Sequence, residues 1–282
     1  MKSILLAFSL LLMATIVARA QSCGGPDEPC HAGGGDYHVA APVDPLPRRA
    51  VIFLHGYGGT GEGIIRNRNF IEAIAARGYA VIAPQGSPMQ AGGKGGSWNS
   101  FGRADRRDDI AFIAAVADDA AKRFGLDRGT MLLAGFSGGG MMTWRAACDA
   151  PGAFAAYAPI AGLLWRPLPE RCAGPFAMLH THGWSDQVVP LEGRSVASGR
   201  FTQGDLFKGL KLLRATLGCA RDDPDGYGEK DGYLIRRWDD CAAGAALEMA
   251  LHPGGHMIPP RWSALALDWF EGLKWVKPAS PR

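Results

Sequence analysis

The chain has no C-x-x-C pair, almost no net charge, no internal repeat or low-complexity tract, and no apolar run of membrane-spanning length. Each absence excludes something. Without a C-x-x-C pair a zinc cluster is not expected. With 30 Lys and Arg against 27 Asp and Glu, the formal charge is only +3, so no nucleic acid or other polyelectrolyte partner is implied. The lack of a period of 20 to 50 residues removes solenoid architectures. The longest apolar stretch, Ile4 to Val17, is about 14 residues, short of the roughly 20 that a spanning helix needs.

What that stretch does resemble is the apolar core of a secretory signal peptide. Lys2 precedes it, and small residues at Ala18 and Ala20 follow, which predicts cleavage after Ala20. Residues 1–20 are therefore expected to be removed, leaving a protein that is secreted or periplasmic and has no membrane association. Losing Lys2 and Arg19 and no acid lowers the formal charge from +3 to +1. All six cysteines follow the signal, and an even count in an exported chain favours disulfides. Pairing of Cys23 with Cys30, Cys148 with Cys172 and Cys219 with Cys241 would close three short local loops; free buried thiols are the alternative. Residues 21–48, rich in Gly, Pro and Asp, read as an irregular N-terminal arm. Residues 49–282 are long and apolar enough for one catalytic domain.

Within that domain, apolar runs at 51–54, 79–83, 131–134, 153–160, 176–181, 233–238 and 246–251 predict strands. Ile110, Ile113, Ala117, Ala120 and Phe124 recur at helical spacing up to Gly125. Leu265, Trp269, Leu273 and Val276 do so after Pro259 and Pro260, and a helix is expected over 205–217. Continuous apolar strands with intervening helices predict an α/β fold, with a mostly parallel central sheet covered by helices on both faces. In such sheets ligands meet the C-terminal strand ends. One long excursion, from about 187 to 232, either borders the substrate cleft or is a solvated surface loop.

Four segments end at that rim. In "AGFSGGGMM" Ser137 follows an apolar strand, and Gly138, Gly139 and Gly140 open a helical pattern, the strand, turn and helix order of a nucleophile elbow. A glycine at 138 leaves its own N–H free to point at an oxyanion. A second donor is expected from the loop "LHGYGGTG", with the Tyr57 amide first and the Gly58 amide as runner-up. A serine hydroxyl needs a base to become a nucleophile, and the order Ser, Asp, His leads to Asp186 and His256. His252 is the rival base, and Asp239 and Asp240 are alternative acids. Trp98 and Trp184 are candidates for the pocket wall, with core packing as the other reading.

"LHGYGGTG", "GFSGGGMM", "HGWSDQVVP" and "HPGGHMIPP", in this order, resemble the secreted α/β-hydrolases grouped as polyhydroxybutyrate depolymerase-like esterases, which include feruloyl and acetylxylan esterases. The similarity extends through "SWNSFGRADRRDDIAFI" and the late pair Cys219 and Cys241, and covers roughly residues 48 to 275. It implies an α/β-hydrolase fold and a serine esterase with Ser137 as nucleophile, Asp186 as acid and His256 as base. It implies no metal or organic cofactor and a small-molecule or polymeric ester as substrate. The chain departs from the usual pattern at Gly138, where a small side chain or Asn is more common, and at Trp184, where a smaller residue is. A peptidase of the same fold and a non-catalytic binding protein on a hydrolase scaffold are the competing functions; the second predicts a degraded triad, which these motifs do not display.

Overall fold

The computed structural model describes residues 23–41 and 48–274. The expected signal peptide, and Val276 of the expected last helix, lie outside those residues.

Ten strands form one sheet, and its middle is parallel. In chain order the first elements are β1 (Cys30–Ala32), β2 (Gly35–Ala40), β3 (Arg49–Leu54), α1 (Gly61–Arg66), α2 (Arg68–Ala75) and β4 (Tyr79–Pro84). A short hairpin of β5 (Ser87–Pro88) and β6 (Gly96–Ser97) precedes α3 (Asp109–Phe124), β7 (Met131–Phe136), α4 (Gly138–Asp149), β8 (Ala156–Ile160) and β9 (Ala177–Gly183). A second hairpin, β10 (Ser195–Val196) with β11 (Phe201–Thr202), leads to α5 (Leu206–Leu217), β12 (Gly226–Lys230), β13 (Tyr233–Trp238), β14 (Ala246–His252) and α6 (Trp262–Gly272).

The large sheet runs β1-β2-β4-β3-β7-β8-β9-β14-β13-β12. The six strands from β4 to β14 are mutually parallel, whereas β1, β2, β12 and β13 are antiparallel edges. Central strands are buried on both faces, so their side chains alternate between two cores. Ile52 and Leu54 join Phe112, Met142, Trp144 and Leu210 on the side of α3, α4 and α5. Val51 and Phe53 join Phe70, Ile74, Trp262 and Phe270 on the side of α2 and α6.

Local chemistry sets the helix ends. Asp108 caps α3 by accepting from the amides of Ile110 and Ala111, and Gly125 closes it in the left-handed conformation. The C-terminal helix begins at Trp262, after Pro259 and Pro260, and ends at Gly272.

Two stretches differ from the sequence reading. Residues 30–40 of the supposedly irregular arm form a hairpin, and β2 pairs with β4 at the sheet edge. Tyr37 anchors it from a fully buried position, donating its phenol to Asp119. The charged segment around 226–230 forms the opposite edge against β13. Cys23–Cys30, Cys148–Cys172 and Cys219–Cys241 are bonded, with sequence separations of 7, 24 and 22.

Candidate active site

At the end of β7 the chain turns abruptly into α4, and Ser137 takes the turn with φ 55 and ψ −116. A non-glycine residue in this region is strained, and its neighbours hold it there. The Ser137 amide donates to Ile160 O at 2.9 Å, and its carbonyl accepts from Met141 N–H at 2.8 Å. The flanking glycines are required by space. A Cβ on Gly135 would fall 2.5 Å from Gly139 O, and one on Gly139 would fall 2.1 Å from Leu54 O. Helix α4 can therefore approach β3 only because no side chain stands between them.

The strand ends of β9 and β14 bring the acid and the base to the same rim. Their loops are tied directly: Trp184 N–H donates to His252 O at 2.7 Å, and Ser185 N–H to Gly254 O at 3.1 Å. His256 reaches between the other two residues, with Nε2 2.9 Å from Ser137 Oγ and Nδ1 2.8 Å from Asp186 Oδ2. Phe136 packs beside its imidazole, with ring centroids 4.8 Å apart.

Asp186 is buried yet richly bonded. Oδ1 accepts from the amides of Val188 and Val189, each at 2.8 Å. Oδ2 accepts from His256 and faces His182 Nε2 at 3.4 Å. Burial pushes the carboxyl up, but the hydrogen bonds from His182, His256 and the Val189 amide outweigh it and hold Asp186 well below the usual carboxylate range. An ionised carboxylate there accepts from Nδ1–H, so the other imidazole nitrogen faces the serine as an acceptor.

Sequence reasoning missed what stands behind this carboxylate. Trp144 of α4 donates its indole N–H to His180 Nδ1 at 3.0 Å, and His180 Nε2 lies 3.0 Å from His182 Nδ1. An indole can only donate, so His180 carries its proton on Nε2 and gives it to His182. The proton of His182 then sits on Nε2, directed at Val189 O at 2.7 Å and at Asp186. His180 is fully buried; desolvation, with His182 beside it, drives its imidazole well below the ordinary value and keeps it neutral. The "HTH" spacing places both rings on one face of β9, which is the signal that could have flagged them.

The loop after β3 comes up against the same turn. A Cβ on Gly138 would sit 3.2 Å from Tyr57 N, so the two backbone segments border one small volume. The Gly58 amide, the alternative donor, is already used on Gly96 O at 2.9 Å, whereas the Tyr57 amide has no acceptor among the described residues. His55 braces the loop as a neutral imidazole: Nδ1 bonds Gly56 O at 2.8 Å and Nε2 accepts from Gly86 N–H at 3.0 Å. Burial lowers its pKa to about 4.

Ser137 opens into a cavity of about 640 Å³. Trp98 lines it, and its indole donates to His55 O at 2.8 Å. Trp184 does not: it is 64% exposed and stands outside the lining, because the β9 loop turns its side chain toward solvent. His252 accepts from Gly254 N–H at 3.1 Å and does not contact Ser137. Asp239 and Asp240 lie beyond β13, where their amides bond Asp225. Among the described residues no cluster of three or more metal-ligating side chains occurs.

Known proteins are similar to this chain in sequence and in fold. NocK of Nocardia uniformis subsp. tsuyamanensis is 34% identical over 158 residues, which are 56% of this chain and 45% of that protein. Feruloyl esterase C of Emericella nidulans is 29% identical over 184 residues, 61% of this chain and 62% of that one. The matched stretch is thus under two thirds of either relative's length. Acetyl xylan esterase from Aspergillus awamori superposes with a TM-score of 0.63 at 18% identity, covering 83% of this chain and 93% of that one, which shows the shared α/β-hydrolase fold. The family model described as phospholipase/carboxylesterase matches residues 36–204, the span from β2 through the serine turn to the wall of its cavity, and the chain belongs to that family.

Proposed function

We propose that the chain is an exported serine esterase, a single catalytic domain that hydrolyses carboxylic esters through an acyl-enzyme intermediate. The observation that carries this reading is His256, which lies within hydrogen-bond reach of Ser137 and Asp186 although they are 119 and 70 residues away in sequence. In the proposed reaction His256 takes the hydroxyl proton as Ser137 Oγ attacks the ester carbonyl. The amides of Tyr57 and Gly138 hold the oxyanion, and His256 then delivers the proton to the leaving alcohol. Water, deprotonated by the same imidazole, releases the acid. Asp186 keeps the imidazole in the required tautomer throughout.

The names of the relatives favour feruloyl or acetylxylan esters, and the motif resemblance adds hydroxybutyrate oligomers. Three disulfides fit an oxidising compartment, in keeping with residues 1–20 acting as an export signal. The test is a panel of acetyl, longer acyl, feruloyl and hydroxybutyrate esters, run beside Ser137→Ala and a peptide substrate. Ester turnover that falls at least ~10³-fold in Ser137→Ala is expected. Turnover of the peptide in preference to every ester, or ester turnover untouched by the substitution, would overturn the reading.

A further inference from the structure

The cavity that opens from Ser137 is lined by four arginines, Arg103, Arg106, Arg194 and Arg200, and by no aspartate or glutamate among the described residues. The whole chain has a formal charge of only +3, so this is a concentration of one sign at one place. Arg103 is bound to Asp105 at 2.6 Å, and Arg194 donates Nε–H to Val188 O at 2.9 Å. The guanidinium groups of Arg106 and Arg200 have no bonded partner among the described residues. All four are exposed at the mouth, whereas Met141 and Val189, deeper in the same cavity, are buried.

Two chain segments nearly 90 residues apart converge to make this mouth. The first is the loop carrying Arg103 and Arg106, and the second is the hairpin of β10 and β11, with Arg194 just before β10 and Arg200 the last residue of its turn. That turn is strained: Ala197 and Ser198 have φ of 51 and 56, and Gly199 follows at 83. Residues with a Cβ rarely adopt such angles, and strain of this kind tends to persist where a particular placement is needed. The hairpin is held against the first loop by ring contacts, Phe101 stacking on Trp165 and meeting Phe201 at a tilt. Phe101 lies 4.1 Å from Trp165 and 4.4 Å from Phe201, centroid to centroid. Apolar surface thus lies inside, and planar cations that match carboxylate geometry lie outside.

We propose that the substrate is an ester that also carries a carboxylate remote from the scissile bond, bound with its apolar part against the aromatic wall and its carboxylate at the arginine mouth. The inference rests on the ester-hydrolysing reading of Ser137. A cleft of one sign raises the local concentration of an oppositely charged ligand, and the effect falls with salt.

The test compares matched esters that differ only in charge. The acyl-side pair is the 4-nitrophenyl monoester of glutaric acid against 4-nitrophenyl pentanoate. The alcohol-side pair is 4-acetoxybenzoate against its methyl ester. In at least one pair the anionic member is expected to show a kcat/KM advantage of ~10-fold or more at about 10 mM salt. That advantage should shrink toward parity at about 1 M, as the Debye length falls from ~30 Å to ~3 Å. In Arg106→Gln/Arg200→Gln the ratio of anionic to neutral kcat/KM should fall at least ~5-fold, a readout in which any loss of folded protein cancels. Acetyl release from acetylated polygalacturonate against acetylated xylan then tells a polymeric acid from a small one. Equal or better turnover of the neutral member in both pairs, at low salt, overturns this inference and leaves the esterase reading standing. Failure to turn over any of the four esters sinks both.

Discussion

The two ends of the Ser137 cavity are built on opposite terms. At the inner end each side chain is fixed by buried partners: Asp186 by two amides and two imidazoles, His55 by two backbone groups, Ser137 by a turn that glycine contacts permit. At the outer end exposed arginines with few bonds of their own stand on loops that aromatic ring contacts hold together. The contrast teaches that geometry is over-determined where protons move, because a misplacement of about 1 Å there can cost 10²-fold in rate. Recognition tolerates looser support, since charge acts over several ångströms.

The strongest way to break that contrast is Asp186→Asn. An amide nitrogen facing His256 would turn the imidazole to the wrong tautomer, and kcat should fall by ~10³ to 10⁴-fold with the far-ultraviolet spectrum unchanged. A loss under tenfold would mean that the inner end is less tightly specified than its bonds imply. Gly139→Ala comes next, because its Cβ would be driven into Leu54 O and α4 would have to move off β3. A destabilisation of ~3 kcal/mol or more is expected in urea unfolding.

Glu248, the third residue of β14, tests the sheet itself. Burial pushes its carboxyl up to about 7, with Arg237 opposing and Asp239 adding. The folded state therefore holds the proton more tightly than the unfolded chain does. The stability this contributes is fully present below about pH 4.5 and lost as pH rises through 7. Glu248→Gln should accordingly be more stable than the parent by ~1–3 kcal/mol at pH 8, with the difference vanishing near pH 4. The smallest effect belongs to Trp184→Ala: an exposed ring outside the cavity should leave kcat/KM for short esters within about twofold. A tenfold loss would return Trp184 to the pocket wall.

The same contrast explains what could be read from the sequence. The central strands are unbroken apolar runs because both of their faces are buried, so β3, β4, β7, β9 and β14 stood out. Their ends located Ser137, Asp186 and His256, since ligands gather at one edge of such a sheet. Two of the edge strands, β12 and β2, were hidden for the converse reason. The "GYGEK" of β12 is almost wholly exposed, and β2 lay inside a stretch rich in Gly, Pro and Asp. The arginine mouth had no local signature, because Arg106 and Arg200 meet only through the tertiary fold. Trp184 misled because proximity in sequence to Asp186 says nothing about which way the loop turns its side chain. The His180 and His182 pair was visible as a spacing, but its meaning depends on Trp144 from a different element.

The central claim is that Ser137 is made nucleophilic by His256, and the most direct measurement is mass-spectrometric mapping of the site labelled by an aryl phosphonate. One equivalent on the peptide containing Ser137 is predicted, at a rate lowered at least ~10²-fold in His256→Ala. Label on a different residue, or labelling of Ser137 at the same rate without the imidazole, would contradict it.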